Sequence, residues 1–193
     1  MTKTALIVNA GTKFAGQGGT LSTAYAEKAA EILRAFGWNV LETQVDSEWS
    51  VKDEVEKVMK ADFVLAQIPA WWMGAPWTYK RWFDTVFMNV PFGGDGRTHT
   101  NPAVNYGRGG HLKGYYMLST TWNAPRNAFV DPKEFFEGKG IDAVLFPLHK
   151  AFQFVGLKSL ETFMANDVIK NPTFEADMAR FEKTLKANIA KIS

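Results

Sequence analysis

The residues of this chain best suited to chemistry lie in one stretch, Ala66-Gln67-Ile68-Pro69-Ala70-Trp71-Trp72-Met73-Gly74-Ala75-Pro76-Trp77. An apolar run from Asp62 to Ala66 leads into it, and a helix-like segment through Phe87 leaves it. Two adjacent indoles and a thioether therefore sit at the end of a buried strand, where an open α/β sheet presents its ligands. So much ring surface in a loop either packs internally or meets a flat partner. We read Ala70, Trp71, Trp72 and Met73 as a platform for a planar ring, with a flavin the best candidate. Packing of these rings in the core or at a subunit interface is the alternative, open for at least one of the two indoles.

Two further strand-end loops support that reading. Asn9 to Thr20 is rich in glycine and joins an apolar strand to a helix start, with Gly16, Gly18 and Gly19 followed by Thr20, Ser22 and Thr23. Glycines allow close backbone approach, and free N–H groups at a helix start bind phosphate oxygens. The loop is neither a Walker loop nor a good G-x-G-x-x-G, and alone it could be a plain connection. The third loop, Ser119-Thr120-Thr121-Trp122-Asn123-Ala124-Pro125, would face the second, and N–H donors from Trp122 to Ala124 could stabilise charge on a reduced ring. A capped turn is the equal alternative there.

Other candidates are isolated. Tyr106, within Tyr106-Gly107-Arg108-Gly109-Gly110, could hydrogen-bond a flavin or a substrate carbonyl, or simply anchor its loop. His149 could donate a proton, although a lone histidine in such a setting more often makes a structural hydrogen bond. No His/Asp/Glu set has metal spacing, and no serine nucleophile elbow is present. The absence of cysteine excludes disulfides and thiolate chemistry.

Bulk properties narrow the class. A net charge of +2 without a Lys/Arg cluster argues against nucleic acid and against the strongly acidic one-electron carriers. No apolar run is long enough to span a membrane or act as a signal, so the expected location is the cytoplasm, without membrane insertion. At 193 residues, one domain over 1–193 is expected.

Positioning these loops requires strands at Thr4–Val8, Trp38–Gln44, Phe63–Ile68, Tyr115–Thr120 and Leu160–Ala165. Helices are predicted from Thr20 to Phe36, from a Ser50 cap to Met59, from Pro76 through Phe87, and from Pro172 onward. Asn89–Lys113 reads as a long ordered excursion, Asn123–Gly140 as an irregular insert, and His149–Leu157 as a loop. Alternating strands and helices imply an α/β fold, a flavodoxin-like, doubly wound, five-stranded parallel sheet with helices on both faces.

Ala70-Trp71-Trp72-Met73-Gly74-Ala75-Pro76-Trp77-Thr78, Asp95-Gly96-Arg97-Thr98, Thr121-Trp122-Asn123-Ala124-Pro125 and Phe163-Met164-Ala165-Asn166-Asp167-Val168-Ile169-Lys170 resemble the NADPH:quinone reductases of the DT-diaphorase-like flavodoxin superfamily over essentially the whole chain. The resemblance implies a non-covalent FAD, NADPH as hydride donor, a quinone substrate, two-electron ping-pong transfer and a homodimer. It carries FAD contacts onto Gln17, Gly18, Gly19, Thr20, Leu21, Ser22, Thr23 and Ala24, onto Ala70, Trp71, Trp72 and Met73, onto Tyr106, and onto Thr121, Trp122, Asn123 and Ala124. Tyr106 is also the candidate for catalytic proton delivery, with water as the alternative. Gln17-Gly18-Gly19 stands where the family tends to have Ser-Asn-Gly, which leaves the phosphate to backbone donors and to Thr20, Ser22 or Thr23. A regulatory, redox-sensing flavoprotein acting as the ancillary subunit of a membrane transporter is the second functional expectation.

Overall fold

The computed structural model describes residues 2–192 except 15 and 17. Its strands are β1 (Thr4–Asn9), β2 (Asn39–Gln44), β3 (Phe63–Pro69), β4 (Tyr115–Thr121), β5 (Lys158–Ser159) and β6 (Phe163–Ala165). Its helices are α1 (Thr20–Ala35), α2 (Val51–Lys60), α3 (Trp77–Phe87), α4 (Asn127–Val130), α5 (Gly140–Val144), α6 (Phe146–Phe154) and α7 (Phe174–Ile192).

All pairings are parallel, in the order β2-β1-β3-β4, with β5 and β6 both on the outer edge of β4. This is the flavodoxin-like 2-1-3-4-5 sheet, its fifth position shared by two short strands. The expected strand Leu160–Ala165 is thus displaced and divided. Tyr115 and Tyr116 pair with Lys158 and Ser159, whereas Ser119, Thr120 and Thr121 pair with Phe163, Met164 and Ala165.

Alternate residues on the central strands feed two cores, as expected of a sheet covered on both faces. Leu6, Val8, Val64, Ala66, Ile68, Tyr116 and Leu118 pack with Tyr79, Trp82, Phe83 and Phe152 of α3 and α6. Ala5, Ile7, Phe63, Leu65 and Met117 pack with Tyr25, Ala29 and Leu33 of α1 and with Phe181, Leu185 and Ile189 of α7.

Helix boundaries follow local chemistry. The Ser50 hydroxyl accepts from the Asp53 N–H at 3.1 Å and caps α2. Gly37, at φ 79°, turns the chain after α1 where a side chain would be strained. The expected loop His149–Leu157 is instead largely helix, because Pro147 fits the first turn of α6 and buries His149 and Phe152 at i, i+3 spacing. The insert after β4 holds α4 and α5 as short helical turns.

A buried carboxylate ties three elements together. Glu54 of α2, 1% exposed, accepts from the Thr43 hydroxyl of β2 at 2.6 Å, the Trp82 indole of α3 at 2.8 Å and the Lys57 ammonium at 2.6 Å. Replacing Glu54 by Ala orphans these donors and leaves a void. We expect it to cost about 3 kcal/mol or more in urea unfolding, with Glu54→Gln losing less because it keeps acceptor capacity. A Glu54→Ala protein as stable as the parent would refute the structural role of this network.

Candidate functional site

Parallel register brings three strand ends to the same level, and the pairing continues into the turns. Ala10 N–H donates to Gln67 C=O at 2.8 Å, and Ala70 N–H donates to Thr121 C=O at 2.9 Å. The Thr12 and Thr78 hydroxyls bond to each other, tying the first loop to α3. Phe14 meets Trp71 edge to face at 6.2 Å. The three predicted loops therefore converge at the carboxyl ends of β1, β3 and β4, beside the point where strand order reverses.

The first loop is shaped by Asn9. Its Oδ1 accepts from Gly11 N–H at 2.8 Å, and its Nδ2 donates to the Thr23 hydroxyl at 3.1 Å, so one side chain fastens loop and helix. A Cβ on Gly11 would lie 2.9 Å from both Asn9 Oδ1 and Gly19 C=O, and one on Gly18 would lie 3.1 Å from Thr12 C=O. Gly18 and Gly19 hold φ of 103° and 85°. The helix begins at Thr20 with Gly19 as N-cap, no side-chain cap and no acid in its first turn. Its first N–H groups are thus left for an anion, and the cradle exists because side chains are excluded from it. This donor set fits the phosphates of a flavin nucleotide.

Of the residues predicted here, Thr20 and Thr23 are exposed at the cradle, and Ala24 lines the adjoining cleft. Ser22 is 2% exposed beneath Gly11, and Leu21 packs on the α1/α7 core, so neither presents its side chain to a ligand. Gln17 lies outside the described residues. The cradle forms part of a cleft of about 520 Å³ that is lined further by Lys13, Gln44, Asp46 and Ser47. Asp46 Oδ2 accepts from Lys13 N–H at 2.9 Å, and Gln44 donates to Gly11 C=O. The sequence reading missed Gln44 and Asp46, although their place at the carboxyl end of β2 was a usable signal.

The second loop is a two-residue hairpin. Trp71 and Gly74 exchange N–H···O=C bonds of 2.9 and 3.1 Å around Trp72 and Met73, whose φ values are 48° and 64°. Positive φ at both central positions defines a type I′ turn, which Asn-Gly normally occupies. Two bulky residues there store strain of order 1–3 kcal/mol each, and such strain gathers at ligand sites. Trp72 is 95% exposed, Met73 is exposed, and Trp71 is half-buried against Phe14.

In the third loop, Thr121 is buried, and Trp122 is a core residue rather than a ring of the cleft. Its indole donates to the Thr120 hydroxyl at 3.0 Å and packs edge to face on Phe129 at 5.0 Å. Its N–H donates to Ala165 C=O at 2.9 Å, which removes it from the expected donors and leaves those of Asn123 and Ala124. Val168 N–H to Trp122 C=O and Asp167 N–H to Ala124 C=O hold the turn from behind.

Tyr106 lies apart from the three turns within one chain. The excursion returns from the end of α3 to the start of β4, and the Tyr106 ring packs at a tilt, 5.6 Å from that of Phe154, the last residue of α6. Leu112 N–H bonds Val155 C=O beside it. β4 spans seven residues from that end to the turns, roughly 20 Å at about 3.3 Å each. Within one chain, Tyr106 therefore lies at the opposite end of the sheet from the cleft. His149 is structural: 8% exposed, it bonds the Tyr116 phenol through Nδ1 at 2.8 Å and Asp142 through Nε2 at 3.2 Å. The His149 ring holds the Asp142 carboxyl below the usual carboxylate range, while burial pushes the Tyr116 phenol up.

The comparisons agree with this architecture. Residues 3–189 match the model of a family described by its flavodoxin-like fold, and the chain belongs to that family. Among its relatives, the NADPH:quinone oxidoreductase MdaB of Haemophilus influenzae is 42% identical over 185 residues, 94% of this chain and 96% of that one. An uncharacterized protein of Schizosaccharomyces pombe is 42% identical over 184 residues, covering 93% and 94% of the two chains. Of solved structures, the NAD(P)H:quinone oxidoreductase of Methanothermobacter marburgensis superposes with a TM-score of 0.64 at 15% identity, over 96% of this chain and 94% of that one. The general stress protein 14 of Treponema denticola, a complex with FMN, gives 0.61 at 15% identity over 97% and 96%. At such identities the two structures speak for the fold alone.

Relieving the turn tests its strain. We expect Trp72→Asn/Met73→Gly to raise the stability of ligand-free protein by about 1–2 kcal/mol, the Asn-Gly pair being at ease with φ > 0. An unchanged or lower melting temperature would show that the turn is unstrained.

Proposed function

We propose that the chain is a flavin-dependent NAD(P)H:quinone oxidoreductase, carrying non-covalent FAD and moving two electrons from NADPH to a quinone in ping-pong order. One observation carries this reading: three strand-end turns converge, the first a glycine cradle suited to phosphate and the second an exposed, strained aromatic turn in contact with the first through Phe14 and Trp71. The name of the Haemophilus influenzae relative, at 42% identity, points to the same activity.

FAD is favoured over FMN because the cleft extends past the cradle to Lys13, Gln44, Asp46 and Ser47, a part that FMN, ending at its phosphate, would leave unused. Asp46, at the end of β2, stands where an acid meets ribose hydroxyls in open α/β sheets. Bound there, the flavin would supply the hydride chemistry, taking hydride from the nicotinamide and passing it to the quinone. The chain would contribute orientation and charge. Backbone N–H groups at Gly19 to Thr20 would hold the flavin's phosphate, those of Asn123 and Ala124 would be available to stabilise negative charge on the reduced ring, and Trp71 and Met73 would exclude water.

Tyr106 enters this site only from a second copy of the chain, across a homodimer, because its own cleft is a strand length away. From there its phenol would hydrogen-bond the quinone oxygen and hold the proton for the quinol.

Purified protein should be yellow and release FAD on denaturation, and it should consume NADPH only when menadione is present. Release of FMN would correct the cofactor, and a colourless protein that cannot be loaded with either flavin would sink the proposal. The Trp71→Ala/Trp72→Ala variant should weaken flavin binding by several kcal/mol, since each lost ring contact is worth about 0.5–1.5 kcal/mol beyond its area. Undiminished flavin after desalting would count against the platform.

A further inference from the structure

A second cavity, of about 440 Å³, lies along the outer edge of β6, behind the third turn. It reaches the third turn through two of its lining residues. Asn166, in its wall, donates to Ala124 C=O at 3.1 Å, and Arg126 follows the turn by two residues. Three cations line the cavity: Arg126, Lys139 and Arg180. Among the described residues Arg126 has no carboxylate partner, and Lys139 pairs only with exposed Glu137, an interaction of little energy in water. Arg180 is held in place, donating to the unpaired edge carbonyl of Met164 at 3.2 Å while bonding Asp177.

The lining carries both signs of charge. The carboxylates of Asp142 and Glu161 also line the cavity, and Asp142 is bound through His149 to Tyr116, which pairs with Ser159 near the start of β4. Arg126, two residues past the turn, is the cation nearest to it in sequence. Val130 and Met164 add apolar surface. Cations next to an apolar wall suit a nucleoside phosphate, with the base on the wall and the phosphate on the guanidinium groups.

Resting on the proposed reductase reading, we infer that this cavity receives the 2′-phosphorylated adenosine end of NADPH, so that Arg126 and Lys139 select NADPH over NADH. A dinucleotide lying across the third turn would have its nicotinamide in the flavin cleft and its 2′-phosphate at Arg126. Among the described residues, the cation lining the cradle cleft is Lys13, in the space assigned to the adenosine of FAD.

The test uses flavin-loaded Arg126→Gln/Lys139→Gln protein, with both changes at solvent-facing side chains. We expect KM for NADPH to rise roughly tenfold or more, the scale of a lost charge-assisted contact, with kcat unmoved and the preference over NADH lost. Calorimetry with 2′,5′-ADP should detect binding to the parent holoprotein and none to the variant. Binding of 2′,5′-ADP is independent of turnover, so its loss supports this site even if no quinone is reduced. NADPH and NADH constants that move together, or not at all, would overturn the assignment. So would a shift of preference on Lys13→Gln instead, and so would undiminished 2′,5′-ADP binding by the variant.

Discussion

The parallel register of β1, β3 and β4 is the constraint on which the site depends. Asn9, Gln67 and Ser119 lie side by side across the sheet, and the ladder runs on past the strands into Ala10 and Ala70. Because those turn residues are still paired, each turn leaves the sheet from a fixed height and direction. A slip of one residue would send Leu6, Val64 and Tyr116 to the opposite face and empty both cores. Hydrophobic burial therefore sets the register, and the register sets where three otherwise unrelated loops meet.

The cleft is made by exclusion and strain as much as by functional groups. The phosphate cradle exists because Gly11 and Gly18 have no Cβ and because Asn9 holds Gly11 and Thr23 together. The aromatic turn persists because reciprocal Trp71–Gly74 bonds and the Ala70–Thr121 bond outweigh the cost of left-handed backbone at Trp72 and Met73. Strain of this kind keeps Trp72 in solvent, where a ring, a substrate or a second subunit can cover it. Support from behind is equally specific, since residues 165–168 take up the carbonyls of Trp122 and Ala124 and the N–H of Trp122. The edge-strand cavity shares this backing through Asn166, which connects it physically to the turn.

Elsewhere the structure invests in stability. The network centred on Glu54 joins β2, α2 and α3 on the face beside the cradle. The chain from Tyr116 through His149 to Asp142 does the same for β4, α5 and α6. Among the described residues, no helix is long and apolar enough to cross a membrane.

Apolar runs and turn chemistry were enough to read the doubly wound fold, the Ser50 cap, the stop at Gly37 and the three strand-end loops, because these depend on contacts a few residues apart. Tertiary structure alone decided the rest. Trp71 and Trp122 look equivalent as indoles after a strand, yet Trp122 turns inward onto Phe129 while Trp71 stays at the cleft, a choice made by neighbours far away in sequence. The glycine setting of Tyr106 leaves its place open, and within one chain it packs near Phe154 at the end of α6, away from the three turns. The fifth strand divides because Tyr115 and Tyr116 pair with one short run and Ser119 to Thr121 with another, which no local pattern encodes. Periodicity reports which face of an element is buried; only packing determines what that face meets.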